Sequence, residues 1–158
     1  MAETFLDIRN LTVEYRTDDA IVHALTNVNL SVRRGETLGI VGETGAGKTT
    51  IAKSIMRILP QPQGKVVSGE IHFKGENLLA LPEKEMQKVR GNKIAMIFQD
   101  PMTALNPIET VGFQIAEVIR RHNKISQAEA DRRACDMLEM VGIPMERFSE
   151  YPHQFSGG

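Results

Sequence analysis

The feature that most restricts how this chain can fold is the glycine-rich stretch from Thr37 to Leu59. It opens with an apolar segment at 38–41, passes through a loop at 42–48, and continues into residues with helical spacing. The apolar residues of that last part are Ile51, Ile55, Ile58 and Leu59, and Pro60 follows them. This order predicts a short strand, a tight loop and a helix that ends at the proline.

The composition of the loop is suited to binding phosphate. It fits the pattern G-x-x-x-x-G-K-[ST] through Gly42, Gly47, Lys48 and Thr49, with a further glycine at Gly45. Glycines leave backbone N–H groups bare, so several can converge on an anion, and the following helix adds the positive end of its dipole. Lys48 can then reach the β- and γ-phosphates, the Thr49 hydroxyl can hold Mg²⁺, and Thr50 can donate near the α-phosphate. The stretch predicts a nucleoside triphosphate site.

Length and charge exclude several other classes of protein. The chain has 158 residues, about one ordinary domain. Its 19 basic and 20 acidic residues give a net charge of −1, which argues against a protein that binds nucleic acid electrostatically. The single cysteine, Cys135, excludes an internal disulfide framework and favours a reducing compartment. We expect no signal peptide and no membrane-spanning segment.

The first 33 residues predict a small antiparallel sheet beside the loop. Apolar and polar residues alternate over 5–15, but the phase slips at Asn10, which predicts a bulge at Arg9–Asn10. The alternation then continues through Val28, Leu30 and Val32. Tyr15, at the end of the first strand, is a candidate for stacking on an adenine ring. A buried sheet tyrosine is the alternative interpretation of the same residue.

A second unbroken apolar run, at 94–98 after Lys93, predicts a strand buried on both faces of a parallel sheet. Gln99 follows it, at the end of a strand where α/β sheets bind ligands, so it could bind Mg²⁺ or the attacking water. An exposed loop glutamine remains the alternative. We expect a nucleotide-binding α/β core with its antiparallel β subdomain over 1–99, and a helical subdomain over 100–158.

The helical part contains two predicted helices. Thr110 to His122 carries an apolar stripe, and Ser126 to Val141 opens with the capping box Ser126-x-x-Glu129. The stripe of the second helix comprises Ala130, Ala134, Met137, Leu138 and Val141. We interpret Cys135 and the methionines as packing residues.

Four motifs, in this order, resemble the nucleotide-binding subunit of ABC transporters. They are Tyr15, the GETGAGKTT loop, QDPMTALNP at 99–107 and YPHQFSGG at 151–158. The likeness is strongest to the importers of peptides and nickel, and it covers essentially the whole chain. It implies a P-loop NTPase (RecA-like) core, here incomplete, with antiparallel β and helical subdomains.

The resemblance also implies roles for single residues. Tyr15 would stack the adenine, and Gln99 would sense Mg²⁺ and the γ-phosphate, with Lys48 and Gln99 as the catalytic groups and Thr49 and Gln99 at the metal. The phosphates would lie on Gly42, Glu43, Thr44, Gly45, Ala46, Gly47, Lys48, Thr49 and Thr50. Ser156, Gly157 and Gly158 resemble the signature loop, which touches the nucleotide of a second subunit. The implied cofactors are ATP and Mg²⁺, and the implied partners are that subunit and transmembrane permease subunits, at the cytoplasmic face of the membrane.

The chain ends at Gly158, inside the signature motif, before the Walker B strand and switch histidine of the family. Phosphoryl transfer depends on positioned Mg²⁺ and water, so we expect this polypeptide to bind Mg-ATP without appreciable turnover. Three alternatives are a soluble P-loop kinase acting on a small molecule, a nontransport ABC-type ATPase, and a non-catalytic interaction fragment. The motif YPHQFSGG and the segment QDP that begins at Gln99 argue against the kinase. The balanced charge argues against the nontransport ABC-type ATPase.

Overall fold

The structure is a computed structural model that describes residues 4–100 and 104–155. Its chain divides into two units, Met1–Arg90 and Gly91–Gly158. The first unit contains a sheet and two helices, and the second unit is helical. The boundary between a nucleotide-binding core over 1–99 and a helical subdomain over 100–158 stays a prediction.

An antiparallel sheet organises the first unit, as the alternating pattern predicts. β1 (Thr4–Arg16) lies between β2 (Ile21–Arg33) and β3 (Gly64–Phe73), and β3 also pairs with the short β4 (Glu76–Asn77). Its apolar positions supply about half of the buried hydrophobic residues of this unit: Ile8, Leu11, Val13, Leu25, Ile71 and Phe73.

The predicted bulge in β1 is confirmed. Asn10 has φ +50°, and the pairing of β1 with β2 shifts register between Ile8 and Leu11. On the facing strand Gly69 has φ +100°, and a Cβ there would lie 2.6 Å from the carbonyl oxygens of Arg9 and Asn10. The bulge therefore requires a glycine opposite it, because any side chain would collide with the main chain of β1.

Two short helices pack against this sheet unit. α1 (Lys48–Met56) follows the glycine-rich loop, and α2 (Glu83–Val89) contributes the buried Met86 and Val89. At the end of α1, Arg57 adopts φ +52° and its guanidinium donates to the carbonyl oxygen of Leu81 at 2.6 Å. α1 is thus held at its C-terminal end by hydrogen bonds to the loop that precedes α2.

The second unit consists of α3 (Val111–His122), α4 (Gln127–Met140) and two 3₁₀ helices, Met145–Ser149 and Pro152–Gln154, in the described part. Thr110 and Ser126 cap the long helices, accepting hydrogen bonds from the N–H groups of Phe113 and Glu129. The Ser126 cap was predicted from its sequence. The Glu129 carboxylate, however, accepts hydrogen bonds from Arg132 and Arg133.

The core of the helical unit is narrower than the predicted stripe. Ala130, Ala134 and Leu138, spaced by four residues, are buried together with Ala116 of α3. Two other members of the stripe are largely exposed, Met137 at 50% and Val141 at 70%. Assigning those two residues to the core was therefore wrong. The small alanine side chains let the helices approach along one line only, so neighbouring positions on α4 remain in solvent.

The two predicted parallel strands are not formed in this structure. Residues 36–43 and 95–98 lie in no strand, and Ile94 forms only an isolated bridge. Val41 is 97% exposed and Ile97 is 92% exposed, whereas a strand of a parallel core would be buried. A parallel strand is held by hydrogen bonds and packing from its neighbours, and no strand of the described residues pairs with either segment.

Candidate functional site

The glycine-rich loop forms an open turn in front of α1. Residues 42–46 are exposed, and Gly45 and Gly47 have φ +87° and +81°, values that favour glycine. Gly47 is the N-cap of α1, and no side chain caps the first amides of that helix. The start of α1 therefore presents backbone N–H groups and the positive end of the helix dipole towards the loop.

Gly47 also fixes the loop on the sheet. A Cβ at this position would lie 2.6 Å from the Leu25 side chain and 2.8 Å from the carbonyl oxygen of Ala24. Any other residue would push the loop off β2. The alternating pattern did not predict that Leu25 supports the loop. The pairing of β1 with β2 shifts register between Leu11 and Val13, so Leu25 does not follow the alternation of Val28, Leu30 and Val32.

The side chain of Lys48 folds back onto the backbone of the loop. Its ammonium group donates to the carbonyl oxygens of Gly42, at 2.5 Å, and Glu43, at 2.6 Å. The N–H of Ala46 donates to the same Glu43 carbonyl at 3.1 Å. The loop is thus a small ring of backbone with a positive charge at its rim, and the contact of Lys48 with phosphates stays a prediction.

The two threonines after Lys48 point in different directions. Thr49 is exposed at the start of α1, whereas Thr50 is only 8% exposed. The hydroxyl of Thr50 lies 3.3 Å from the hydroxyl of Tyr15. The backbone carbonyl of Thr50 accepts a hydrogen bond from the Ser54 hydroxyl at 2.7 Å. Neither contact was predicted, although the spacing of four between Thr50 and Ser54 allows the second.

The other predicted site residues lie outside the first unit. Gln99 is exposed at a bend in the second unit. Ser156, Gly157 and Gly158 lie outside the described residues, as do residues 101–103 of the motif that follows Gln99. The Arg147 guanidinium lies 4.0 Å from the ring centroid of Phe155, the residue just before Ser156. The structure thus brings Tyr15 to the loop residues within one unit.

The far end of α1 is tied by a second arginine. Arg90 donates to the carbonyl oxygens of Met56 at 2.7 Å and Arg57 at 3.4 Å, and it also donates to the carboxylate of Glu83. That hydrogen bond from Arg90 holds the pKa of Glu83 below its ordinary value. Positive charge near the C-terminal end of a helix also complements its dipole. One end of α1 is therefore held in place while the other is open.

The helical unit has an apolar concavity of about 600 Å³. Its walls include Ile115, Val118, Ile119 and Met137, and Val118 and Met137 are about half exposed. Among residues 4–100 and 104–155, no helix is both long and apolar enough to cross a bilayer.

Three features of the loop are suited to the phosphates of a nucleotide. Its glycines adopt left-handed backbone, its helix begins without a side-chain cap, and the ammonium group of Lys48 lies at its rim. Each of these features favours binding of an anion, so the loop is suited to the phosphates of a nucleotide.

Comparisons with known proteins agree with the motifs. The sequence profile of the family described as ABC transporter matches residues 25–158. A probable peptide ABC transporter ATP-binding protein of Sinorhizobium fredii is 51% identical, over 99% of this chain and 48% of the relative. The oligopeptide transport ATP-binding protein OppD of Bacillus subtilis is 50% identical, over 97% of this chain and 43% of the relative. The chain thus spans less than half the length of each of these curated relatives.

A solved structure is similar to nearly the whole of this chain. It is the dimeric, post-hydrolysis state of the ATP-binding cassette MJ0796, bound to ADP and Pi. It matches 96% of this chain and 63% of that chain, with a TM-score of 0.80 and 26% identity. The predicted fold class, an incomplete P-loop NTPase fold with an antiparallel β subdomain and a helical part, is confirmed.

Proposed function

The chain belongs to the ABC transporter family, and from that membership we propose that the protein is the ATP-binding subunit of an importer. Such a subunit couples ATP binding and hydrolysis to the uptake of peptides or a related solute, and the part that we assign to this chain is the binding of Mg-ATP. Membership of the family implies nucleotide binding. The solute class is supported by the names of the relatives, which are peptide and oligopeptide transport proteins.

The observation that carries the proposal is the open start of α1 behind a loop with Lys48 at its rim. The described contacts use two of the three donors of the Lys48 ammonium, so one remains for a phosphate oxygen. The amides from Gly42 to Thr50 complete the phosphate site. When ATP is bound it supplies the γ-phosphoryl group that is transferred to water, and the residues of this chain hold and orient it.

We assign the remaining roles on the motifs. The exposed hydroxyl of Thr49 would be a ligand of Mg²⁺, and the motif assigns the same role to the side-chain oxygen of Gln99, since oxygen ligands suit this ion. Gln99 also orients the attacking water. Ser156, Gly157 and Gly158 contact the nucleotide of a second ATP-binding subunit, and the dimeric state of the similar cassette supports that pairing.

Permease subunits are the second class of partner in the proposal. The helical unit is suited to such a contact because it exposes Met137 and Val118 around its apolar concavity. The protein then acts at the cytoplasmic face of the membrane, bound to the permease. No role in nucleic-acid binding is proposed, because the net charge of the chain is −1.

Thermal unfolding of the chain with and without Mg-ATP tests the proposal. Nucleotide at about 100 times its Kd stabilises the folded state by about 2.7 kcal/mol, which raises Tm by roughly 5–10 °C. We expect Lys48→Ala to abolish the rise, because the variant lacks the ammonium group at the rim of the loop. Lys53→Ala, on the same helix but in its last turn, is the matched control and should keep the rise.

An unchanged Tm for the folded wild-type chain at millimolar Mg-ATP would contradict the proposal. Far-ultraviolet circular dichroism of each variant, measured before the melt, separates loss of binding from loss of folding. Adenosine at the same concentration should give a much smaller rise, because it lacks the phosphates that the loop binds.

A further inference from the structure

Tyr15 makes two contacts that stacking on a base does not require. Its hydroxyl lies 3.3 Å from the hydroxyl of Thr50, in a partly buried position. The edge of its ring lies against Gly64, where a Cβ would come within 2.9 Å of the Tyr15 ring. Tyr15 therefore bridges the ends of β1 and β3 and directs its polar atom to the first turn of α1.

We propose that Tyr15 is a positioning residue for the polyphosphate: its hydroxyl orients the hydroxyl of Thr50, independently of any contact with the base. This inference rests on the proposed function, because it assigns a contribution within the same site. It separates two effects of one side chain. The ring would act on the adenine, while the hydroxyl acts on the phosphates through Thr50.

The chemistry of the two hydroxyls makes the link directional. Each hydroxyl has one proton to donate and two lone pairs to accept. When Thr50 donates its proton to an anion, the bond between the two hydroxyls must come from Tyr15. Tyr15 then keeps the Thr50 proton available for the phosphate, and a hydrogen bond to a charged oxygen is stronger than one between neutral groups.

Without the Tyr15 hydroxyl, Thr50 has a competing partner in its own helix. A threonine in a helix can turn its hydroxyl to a carbonyl three or four residues earlier, which for Thr50 is the carbonyl of Gly47 or Ala46. Thr50 is only 8% exposed, so water is a poor substitute for the lost partner. The Ser54 hydroxyl donates to the Thr50 carbonyl and leaves the Thr50 hydroxyl free for this exchange.

Two ligands separate the effect of the hydroxyl from that of the ring. Mg-ATP carries a base, and inorganic tripolyphosphate with Mg²⁺ carries none. We expect Tyr15→Phe, which keeps the ring, to weaken both ligands by the same factor, about three- to tenfold for one hydrogen bond, measured by titration calorimetry. Tyr151→Phe, which changes the other tyrosine of the chain, is the matched control and should change neither affinity.

A double-mutant cycle tests whether Tyr15 acts through Thr50. Thr50→Val keeps the branched shape and removes the hydroxyl, so it should weaken both ligands. Combined with Thr50→Val, the Tyr15→Phe change should have little further effect. Thr50→Ser, which restores a hydroxyl, should restore the sensitivity to Tyr15→Phe. If Thr50→Val folds poorly, Tyr15→Phe measured with both ligands still tests the contribution of the Tyr15 hydroxyl.

Several results would overturn the inference while leaving the proposed function intact. One is unchanged affinity of Tyr15→Phe for both ligands, with Tyr15→Ala weakening Mg-ATP alone, because the residue would then act only on the base. Another is a lower Tm of unliganded Tyr15→Phe with unchanged affinities, which would mark a structural role. Additive effects in the cycle would also overturn it. Failure of the wild-type chain to bind either ligand would instead contradict the proposed function.

Discussion

The two units of the chain bury different kinds of side chain. In the sheet unit the buried residues are large, and Leu11, Ile71, Leu78 and Met86 have no exposed surface. Among the described residues of the helical unit, the apolar side chains with no exposed surface belong to the alanines Ala116, Ala130 and Ala134. Several large apolar side chains of the helical unit, by contrast, are exposed, with Ile108 at 78% and Met140 at 82%.

This contrast shows where the energy of folding comes from. Burial of a large apolar side chain contributes about 1.5–3 kcal/mol, and an alanine contributes much less. The sheet unit therefore supports its own fold, and the phosphate loop rests on it through Gly47 and Leu25. The helical unit keeps several of its large apolar groups on the surface, where a partner can bury them.

One substitution made in both units tests the comparison most strongly. Met86 is fully buried in α2 and Met140 is 82% exposed at the end of α4. We expect Met86→Ala to lower the free energy of unfolding by about 2–5 kcal/mol, because it removes apolar contacts and leaves a cavity. Met140→Ala should change it by less than about 0.5 kcal/mol. Urea denaturation measures both, and similar losses for the two variants would break the comparison.

A pair of arginines sharpens the same contrast. Arg90 donates to the main chain at the end of α1, and its side chain is 22% exposed. We expect Arg90→Ala to lower the free energy of unfolding by about 2 kcal/mol, since carbonyl groups of α1 lose a charged donor. Arg132, which is 63% exposed and pairs with Glu129, should change it little when mutated to alanine. Equal losses in urea denaturation would argue against a special role for the end of α1.

The smallest expected effect is electrostatic and common to both units. Hydrogen bonds from arginines hold the pKa of Glu83 and of Glu129 below their ordinary value of 4.5. The stability from each pair is therefore present above pH 4.5 and is lost as the pH falls through the lower value in the folded state. Glu83→Gln and Glu129→Gln should each reduce this loss, measured as urea midpoints between about pH 3 and pH 7. Since both carboxylates are exposed, 1 M salt should weaken the effect. A pH dependence unchanged by either substitution would contradict the assignment.

Local signals predicted the parts of the fold that depend on neighbours in the sequence. The slip in the alternation at Asn10 located the bulge, and Ser126 located the start of α4. The spacing of Gly42, Gly47 and Lys48 predicted a glycine-rich loop followed by a helix, and α1 begins at Lys48. Each of these features involves only a few adjacent residues and their own hydrogen bonds, so the residue types suffice to recognise them.

Features that depend on distant partners were not predictable in the same way. The apolar runs at 38–41 and 94–98 have the composition of buried strands, but Val41 and Ile97 are almost fully exposed. Burial of a strand requires a second strand at the right distance, and the run itself carries no information about where that strand lies. The exposure of Met137, on a stripe that was predicted to be buried, has the same origin.

From its amino-acid order alone the chain reveals a phosphate-binding loop, its helix and the family to which they belong. Those properties follow from backbone conformation and from charges that lie within a few residues of one another. The contact of Tyr15 with Thr50 and the support of Gly47 by Leu25 required the folded chain, because they join residues separated by 35 and 22 positions. Only the packing of the sheet against α1 brings those residues within reach of each other.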